Sequence, residues 1–144
     1  MKRMPAIKSV MTAFPFSVDA GASVDEAMEF MREHKIRHLP VTDNSQLAGM
    51  ISDRDIKLIL GPDFAYPSGS ELRVSEAMVR DAYVVDLDTR VDQVLVHMAD
   101  HHLGSAIVTR KGKLAGVFTA TDACRAFAEF LGEQLRRSGG NTAA

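Results

Sequence analysis

Short apolar runs and stretches of helical periodicity follow one another in the same order twice along this chain. Phe16-Ser17-Val18 and Tyr83-Val84-Val85 read as brief strands. After each, apolar residues recur at helical spacing: Val24, Ala27, Met28 and Met31 in the first stretch, Val91, Val94, Leu95 and Met98 in the second. Two apolar runs then flank a polar turn. Leu39-Pro40-Val41-Thr42 is separated from Leu47–Ile51 by Asp43-Asn44-Ser45, and Ala106-Ile107-Val108-Thr109 from Leu114–Phe118 by Arg110-Lys111-Gly112. Both read as hairpins. A second helical stretch follows each, carrying Ile56, Ile59 and Leu60 or Ala123, Phe127, Phe130 and Leu131.

The order strand, helix, strand, strand, helix therefore occurs twice, and the sequence itself repeats. A shift of 67 aligns residues 10–60 with 77–127 without a gap, and thirteen of the fifty-one pairs are identical, among them Met11/Met78, Asp19/Asp86, Gly49/Gly116 and Asp55/Asp122. Chance at average composition would give roughly three. A copy of about 50 residues cannot cover both faces of a three-stranded sheet with two short helices, so the copies are expected to share one core. The predicted fold is α/β, of the α+β kind. It comprises a first repeat at 5–60, a linker at 61–74 rich in Pro, Gly and polar residues, a second repeat at 75–131, and a helix end with a frayed tail at 132–144.

Composition narrows the function. The chain has 46% hydrophobic and 25% charged residues and a formal charge of -2, which gives no general attraction to nucleic acid or anionic membrane. No apolar run is long enough to span a bilayer, and Met1-Lys2-Arg3-Met4-Pro5 is not followed by the apolar core of a signal peptide. A cytoplasmic location is expected. The single cysteine, Cys124, excludes an internal disulfide, and its apolar helical setting predicts inert packing. His97, His101 and His102 with Asp100 offer an i, i+4 pair but no third ligand at a convincing spacing, so no metal site is assigned. Asp53 and Asp55 point apart on a helix and cannot flank one bond. With no nucleophile–base signature, P-loop or dinucleotide fingerprint, no catalytic residue is assigned and the chain is not read as an enzyme.

The chemistry that remains lies where each hairpin enters its second helix: Gly49-Met50-Ile51-Ser52-Asp53-Arg54-Asp55 and Gly116-Val117-Phe118-Thr119-Ala120-Thr121-Asp122. Ser52 or Thr119 stands at the N-cap with an aspartate three positions on. That is a capping box. The same geometry also suits a nucleotide, since a helix N-terminus with a hydroxyl favours phosphate and a carboxylate one turn in can hold a ribose diol.

The repeat order and the two Gly-h-h-[Ser/Thr]-x-x-Asp segments (h, hydrophobic) resemble a tandem pair of CBS (cystathionine beta-synthase) domains over residues 5–131. Val10-Met11-Thr12, Ile36–Val41 and Ile51–Asp55 are especially similar to bacterial members. The resemblance implies a pseudo-two-fold pair with two clefts for AMP, ADP, ATP or related adenosyl ligands, each cleft built from both copies. One site would join Thr119, Thr121 and Asp122 to Thr12, Phe14, Pro15, Phe16, Arg37 and His38. The other would join Ser52, Arg54 and Asp55 to Arg80, Tyr83, Leu103, Gly104 and Ser105. Arg37-His38 aligns with Gly104-Ser105, so the cation pair favours the first site for phosphate.

The implied role is a non-catalytic regulatory or energy-sensing module with AMP as the favoured ligand. The alternatives are an interaction protein with vestigial clefts, or a module for S-adenosylmethionine, NAD or a cyclic dinucleotide. Phe127, Phe130, Leu131 and Leu135 extend an apolar stripe suited to a symmetric homodimer. With no enzyme or transporter domain in the sequence, a target protein would be met in trans.

Overall fold

The hydrophobic periods of the two copies produce the same unit twice. A computed structural model of the chain describes residues 4–13, 15–61 and 72–139. A 3-10 turn at Ile7–Ser9 leads into β1 (Thr12–Ala13). The first copy continues with β2 (Val18–Asp19), α1 (Val24–His34), β3 (His38–Asp43), β4 (Gln46–Ser52) and α2 (Asp53–Leu60). After α3 (Val74–Ala77), the second copy runs through β5 (Val84–Asp86), α4 (Val91–Asp100), β6 (Ser105–Arg110), β7 (Lys113–Thr119) and α5 (Ala120–Arg137). The predicted order of elements is present in both copies. The strands expected to start at Phe16 and Tyr83 begin later, at Val18 and Val84, because only there does parallel pairing with β3 and β6 begin.

Within each copy the hairpin is antiparallel and its turn uses left-handed backbone, at Asn44 and Ser45 in one and Lys111 and Gly112 in the other. Helix α1 starts where the Ser23 side chain accepts from Glu26 N at 3.1 Å, and it ends at Lys35 in the left-handed conformation. Its inner face, Val24, Ala27 and Met31, is buried with Leu39, Val41, Ile51 and Ile56. The second copy buries Val91, Val94 and Met98 against Ala106, Val108 and Phe118. Met50 of one copy and Ile107 and Val117 of the other form a third cluster, the shared core that neither copy could build alone.

The two copies also exchange their opening segments, which the hydrophobic pattern did not reveal. Strand β1 pairs with β7 of the other copy, Thr12 opposite Val117, giving a four-stranded sheet β1-β7-β6-β5 beside the three-stranded β2-β3-β4. Reciprocally, Val79 bridges to Met50. Ile7 N donates to Thr89 O at 2.7 Å while Val74 N donates to Ala22 O at 2.8 Å, which are equivalent bonds under the shift of 67. Ile7 and Val74 are each fully buried in the opposite copy's core.

Gly49 and Gly116 mark the crossings. A Cβ on Gly49 would collide with the Val79 carbonyl oxygen, and one on Gly116 would lie 2.7 Å from the Thr12 carbonyl oxygen. Glycine is therefore required for close backbone approach at both places.

Candidate functional site

Each hairpin delivers its last residue to a helix N-terminus as a complete capping box. Ser52 Oγ accepts from Asp55 N at 3.1 Å, and Asp55 Oδ2 accepts from Ser52 N at 2.9 Å. Thr119 and Asp122 repeat this, with Asp122 N donating to Thr119 Oγ1 at 3.3 Å and Thr119 N donating to Asp122 Oδ2 at 2.9 Å. The boxes stabilise their helices and also hold both carboxylates in the walls of two cavities between the copies.

The Asp122 cleft has a volume of about 600 Å³, within the usual range for a small-molecule pocket. Thr12, Pro15, Phe16, Arg37, His38, Thr119, Thr121 and Asp122 all line it, so the residues expected to form this site come together. Phe14 lies outside the described residues. Lys35, Ile36 and Gly104 also line the cavity, which the sequence reading did not include. Phe16 is half exposed and packs against Phe30 and His34, with ring centroids 5.2 and 4.2 Å away, so its ring is fixed at the cleft wall. Thr12 Oγ1 donates to Asp122 Oδ1 at 3.2 Å, joining residues 110 positions apart.

The Asp55 cleft, about 650 Å³, is lined by Ser52, Arg54, Asp55, Tyr83, Leu103, Gly104 and Ser105, as expected. Arg80 does not line this cavity; its guanidinium donates to the Ser75 carbonyl at 3.3 Å. Met50, Asp53, Lys57, Val79 and His102 are among its other wall residues. Tyr83 stacks on His97 at 3.9 Å and His97 on His101 at 4.1 Å, the second copy's counterpart of the Phe16–Phe30–His34 cluster. Partial burial raises the Tyr83 phenol above its ordinary pKa, so it remains a hydrogen-bond donor at neutral pH.

Arg37 and His38 line both cavities, and the pair that distinguished one cleft in the sequence is a wall between the two. The cause is local. The Arg37 carbonyl accepts from Asp53 N at 3.0 Å, tying this loop to the N-terminus of α2, just as the Gly104 carbonyl accepts from Ala120 N at 2.9 Å at the N-terminus of α5. Burial lowers the His38 pKa below its ordinary value; Asp53 and Asp55 oppose this, and Arg37 adds to it. A phosphate beside His38 would favour the imidazolium.

Cys124 departs from its expected packing: it faces solvent on α5, because the helix's inward positions are taken by Asp122 and Ala123. Among the described residues no three His, Cys, Asp or Glu side chains converge as a metal site, and no helix is long and apolar enough to cross a membrane.

The CBS domain family model matches residues 7–61 and 74–129. The chain is 32% identical over 121 residues to the uncharacterised protein YlbB of Bacillus subtilis, covering 83% of this chain and 80% of that protein. Among solved structures it is similar to the CBS domain pair of protein MJ0100 in complex with 5'-methylthioadenosine and S-adenosyl-L-methionine. That match has a TM-score of 0.79 and 25% identity, covering 89% of this chain and 99% of that one. It is also similar to CBSX2 in complex with AMP, with a TM-score of 0.75 and 25% identity, covering 88% and 98% of the two chains. With the matched repeats, exchanged opening segments and paired clefts, the chain belongs to the CBS domain family as a tandem domain pair.

Proposed function

We propose that this protein is a regulatory, non-catalytic module that binds an adenine nucleotide, AMP foremost and ADP or ATP as alternatives, in the clefts between its two copies. The observation that carries this reading is the placement of two capping aspartates in the walls of cavities that each draw on both copies. A carboxylate for the ribose, an N-terminal hydroxyl and Arg37 for phosphate, and an aromatic or apolar wall for the base are then within one cavity. The AMP complex of CBSX2 supports the ligand class.

Because each cleft spans the two copies, an occupant bears on both at once, and it shifts any equilibrium only through its differential affinity for the two states. The readout is a homodimer or a target protein met in trans, in the cytoplasm. Phe127, Phe130, Leu131 and Leu135 on α5 are each at least half exposed and form the surface proposed for a two-fold partner copy.

A second reading takes another adenosyl ligand, such as S-adenosylmethionine, supported by the MJ0100 complex. Calorimetric titration with AMP, ATP and S-adenosylmethionine separates the two. Uptake of AMP or ATP supports the first, uptake of S-adenosylmethionine alone the second, and no uptake of any at millimolar concentration overturns both.

A further inference from the structure

The two capping aspartates are equivalent under the repeat, yet they are not equally available. An ionised carboxylate accepts about four hydrogen bonds in all. Asp122 Oδ2 accepts from both Thr119 N at 2.9 Å and Thr119 Oγ1 at 3.2 Å, while Oδ1 accepts from Thr12 Oγ1 at 3.2 Å with Arg125 Nη1 3.8 Å away. Asp122 is also buried. A cis-diol brings two donors, so it meets a carboxylate that is already nearly saturated. Asp55 differs: Oδ2 accepts from Ser52 N, and among the described residues Oδ1 has no hydrogen-bond partner. The position equivalent to Thr12 is Val79, whose side chain has no donor and whose backbone is bonded to Met50.

The cations are also placed differently. Arg54 and Lys57 line the Asp55 cleft, their equivalents in the other copy being the neutral Thr121 and Cys124, while Lys35 lines the Asp122 cleft, its equivalent being His102. Asp53 engages Lys57 at 3.5 Å, which leaves the Arg54 guanidinium for a phosphate.

We infer that a ribonucleotide fills the Asp55 cleft first, and that Thr12 is the residue that holds the Asp122 cleft back by occupying the carboxylate a ribose would need. This rests on the clefts being nucleotide sites. Thr12 is then a determinant of relative affinity, and exchanging Thr12 and Val79 between the copies should exchange the order of filling. A hydrogen bond to a charged group accounts for about a tenfold change in each direction.

The test is titration of AMP into the full chain and into Asp55→Ala, Asp122→Ala, Thr12→Val and Val79→Thr. Thr12 and Val79 are both exposed, so these two substitutions leave the core intact. Two binding steps are expected. Asp55→Ala should remove the tighter, Thr12→Val should tighten the weaker by about tenfold, and Val79→Thr should weaken the tighter by a similar factor. Loss of the tighter step in Asp122→Ala with its retention in Asp55→Ala would overturn the order, and unchanged affinities in Thr12→Val would overturn the role of Thr12. If the wild-type chain takes up no AMP at millimolar concentration, the reading of the clefts as nucleotide sites falls and the ranking falls with it. AMP uptake in the reverse order removes the ranking alone.

Discussion

The Asp55 and Asp122 clefts are built from aligned residues of one repeat and have nearly the same volume, yet their polar interiors differ. In the Asp122 cleft the carboxylate is enclosed by Thr12, Thr119 and Arg125. In the Asp55 cleft, which Arg54, Lys57 and Tyr83 also line, one carboxylate oxygen has no hydrogen-bond partner among the described residues. The cause lies in the opening segments that the copies exchange: one brings a threonine over its neighbour's helix N-terminus, the other a valine. The two copies share one backbone plan, and a few side chains separate what the two sites can accept.

Substitutions at equivalent positions of the two copies test this difference. The largest effects should come from the core. Phe118 and Ile51 occupy equivalent positions and are both fully buried. Phe118→Ala should cost about 3–5 kcal/mol and Ile51→Ala about 2–5 kcal/mol in urea unfolding. Because the exchange and the Met50–Ile107–Val117 cluster join the copies, each variant should still unfold in one transition; separate transitions would show the two copies to be independent.

At the crossings, Gly49→Ala and Gly116→Ala should each cost about 1–3 kcal/mol as overpacking. Both meet rigid backbone, but Gly49→Ala should be the worse, since its Cβ approaches the Val79 carbonyl oxygen more closely than a Cβ on Gly116 approaches the Thr12 carbonyl oxygen at 2.7 Å, and the Met11 sulfur beside Gly116 can turn away. Equal melting points for the two variants would contradict this difference.

The capping aspartates come next. Asp122→Ala and Asp55→Ala should lower stability by about 0.5–2 kcal/mol, with Asp122→Ala at the upper end because Thr12 and Thr119 both lose an acceptor. Thermal unfolding without nucleotide measures it, and a larger loss for Asp55→Ala would reverse the picture of the two carboxylates.

The smallest effect concerns pH. With its folded pKa below the ordinary value of 6.5, His38 contributes stability that is present above that value and lost as pH falls toward its folded pKa. Stability measured from pH 7.5 down to 5 should therefore decline less in His38→Gln than in the wild type.

Much of this was legible in the sequence because repetition amplifies weak signals. Neither Ser52–Asp55 nor Thr119–Asp122 is distinctive alone, but their recurrence at one phase pointed to both capping boxes, and through the family resemblance to most of the cleft walls. The exchange of opening segments was not legible. Strand β1 has two residues and its counterpart is a single bridge at Val79, too short for any hydrophobic period. The position of Arg37 and His38 between the clefts depends on a backbone bond from Asp53 to Arg37, and the Thr12–Asp122 contact joins residues far apart in the chain. Neither bond leaves a mark in local sequence, and that Thr12 and Asp122 share a cleft was legible only through the family resemblance.

Whether these two aspartates hold a nucleotide is read most directly from melting temperatures with and without excess AMP. The wild-type chain should be stabilised by about 2.7 kcal/mol when AMP reaches roughly a hundred times its dissociation constant. The double variant Asp55→Ala/Asp122→Ala, folded and less stable, should gain nothing. An equal gain in both proteins would place the nucleotide elsewhere and contradict the account.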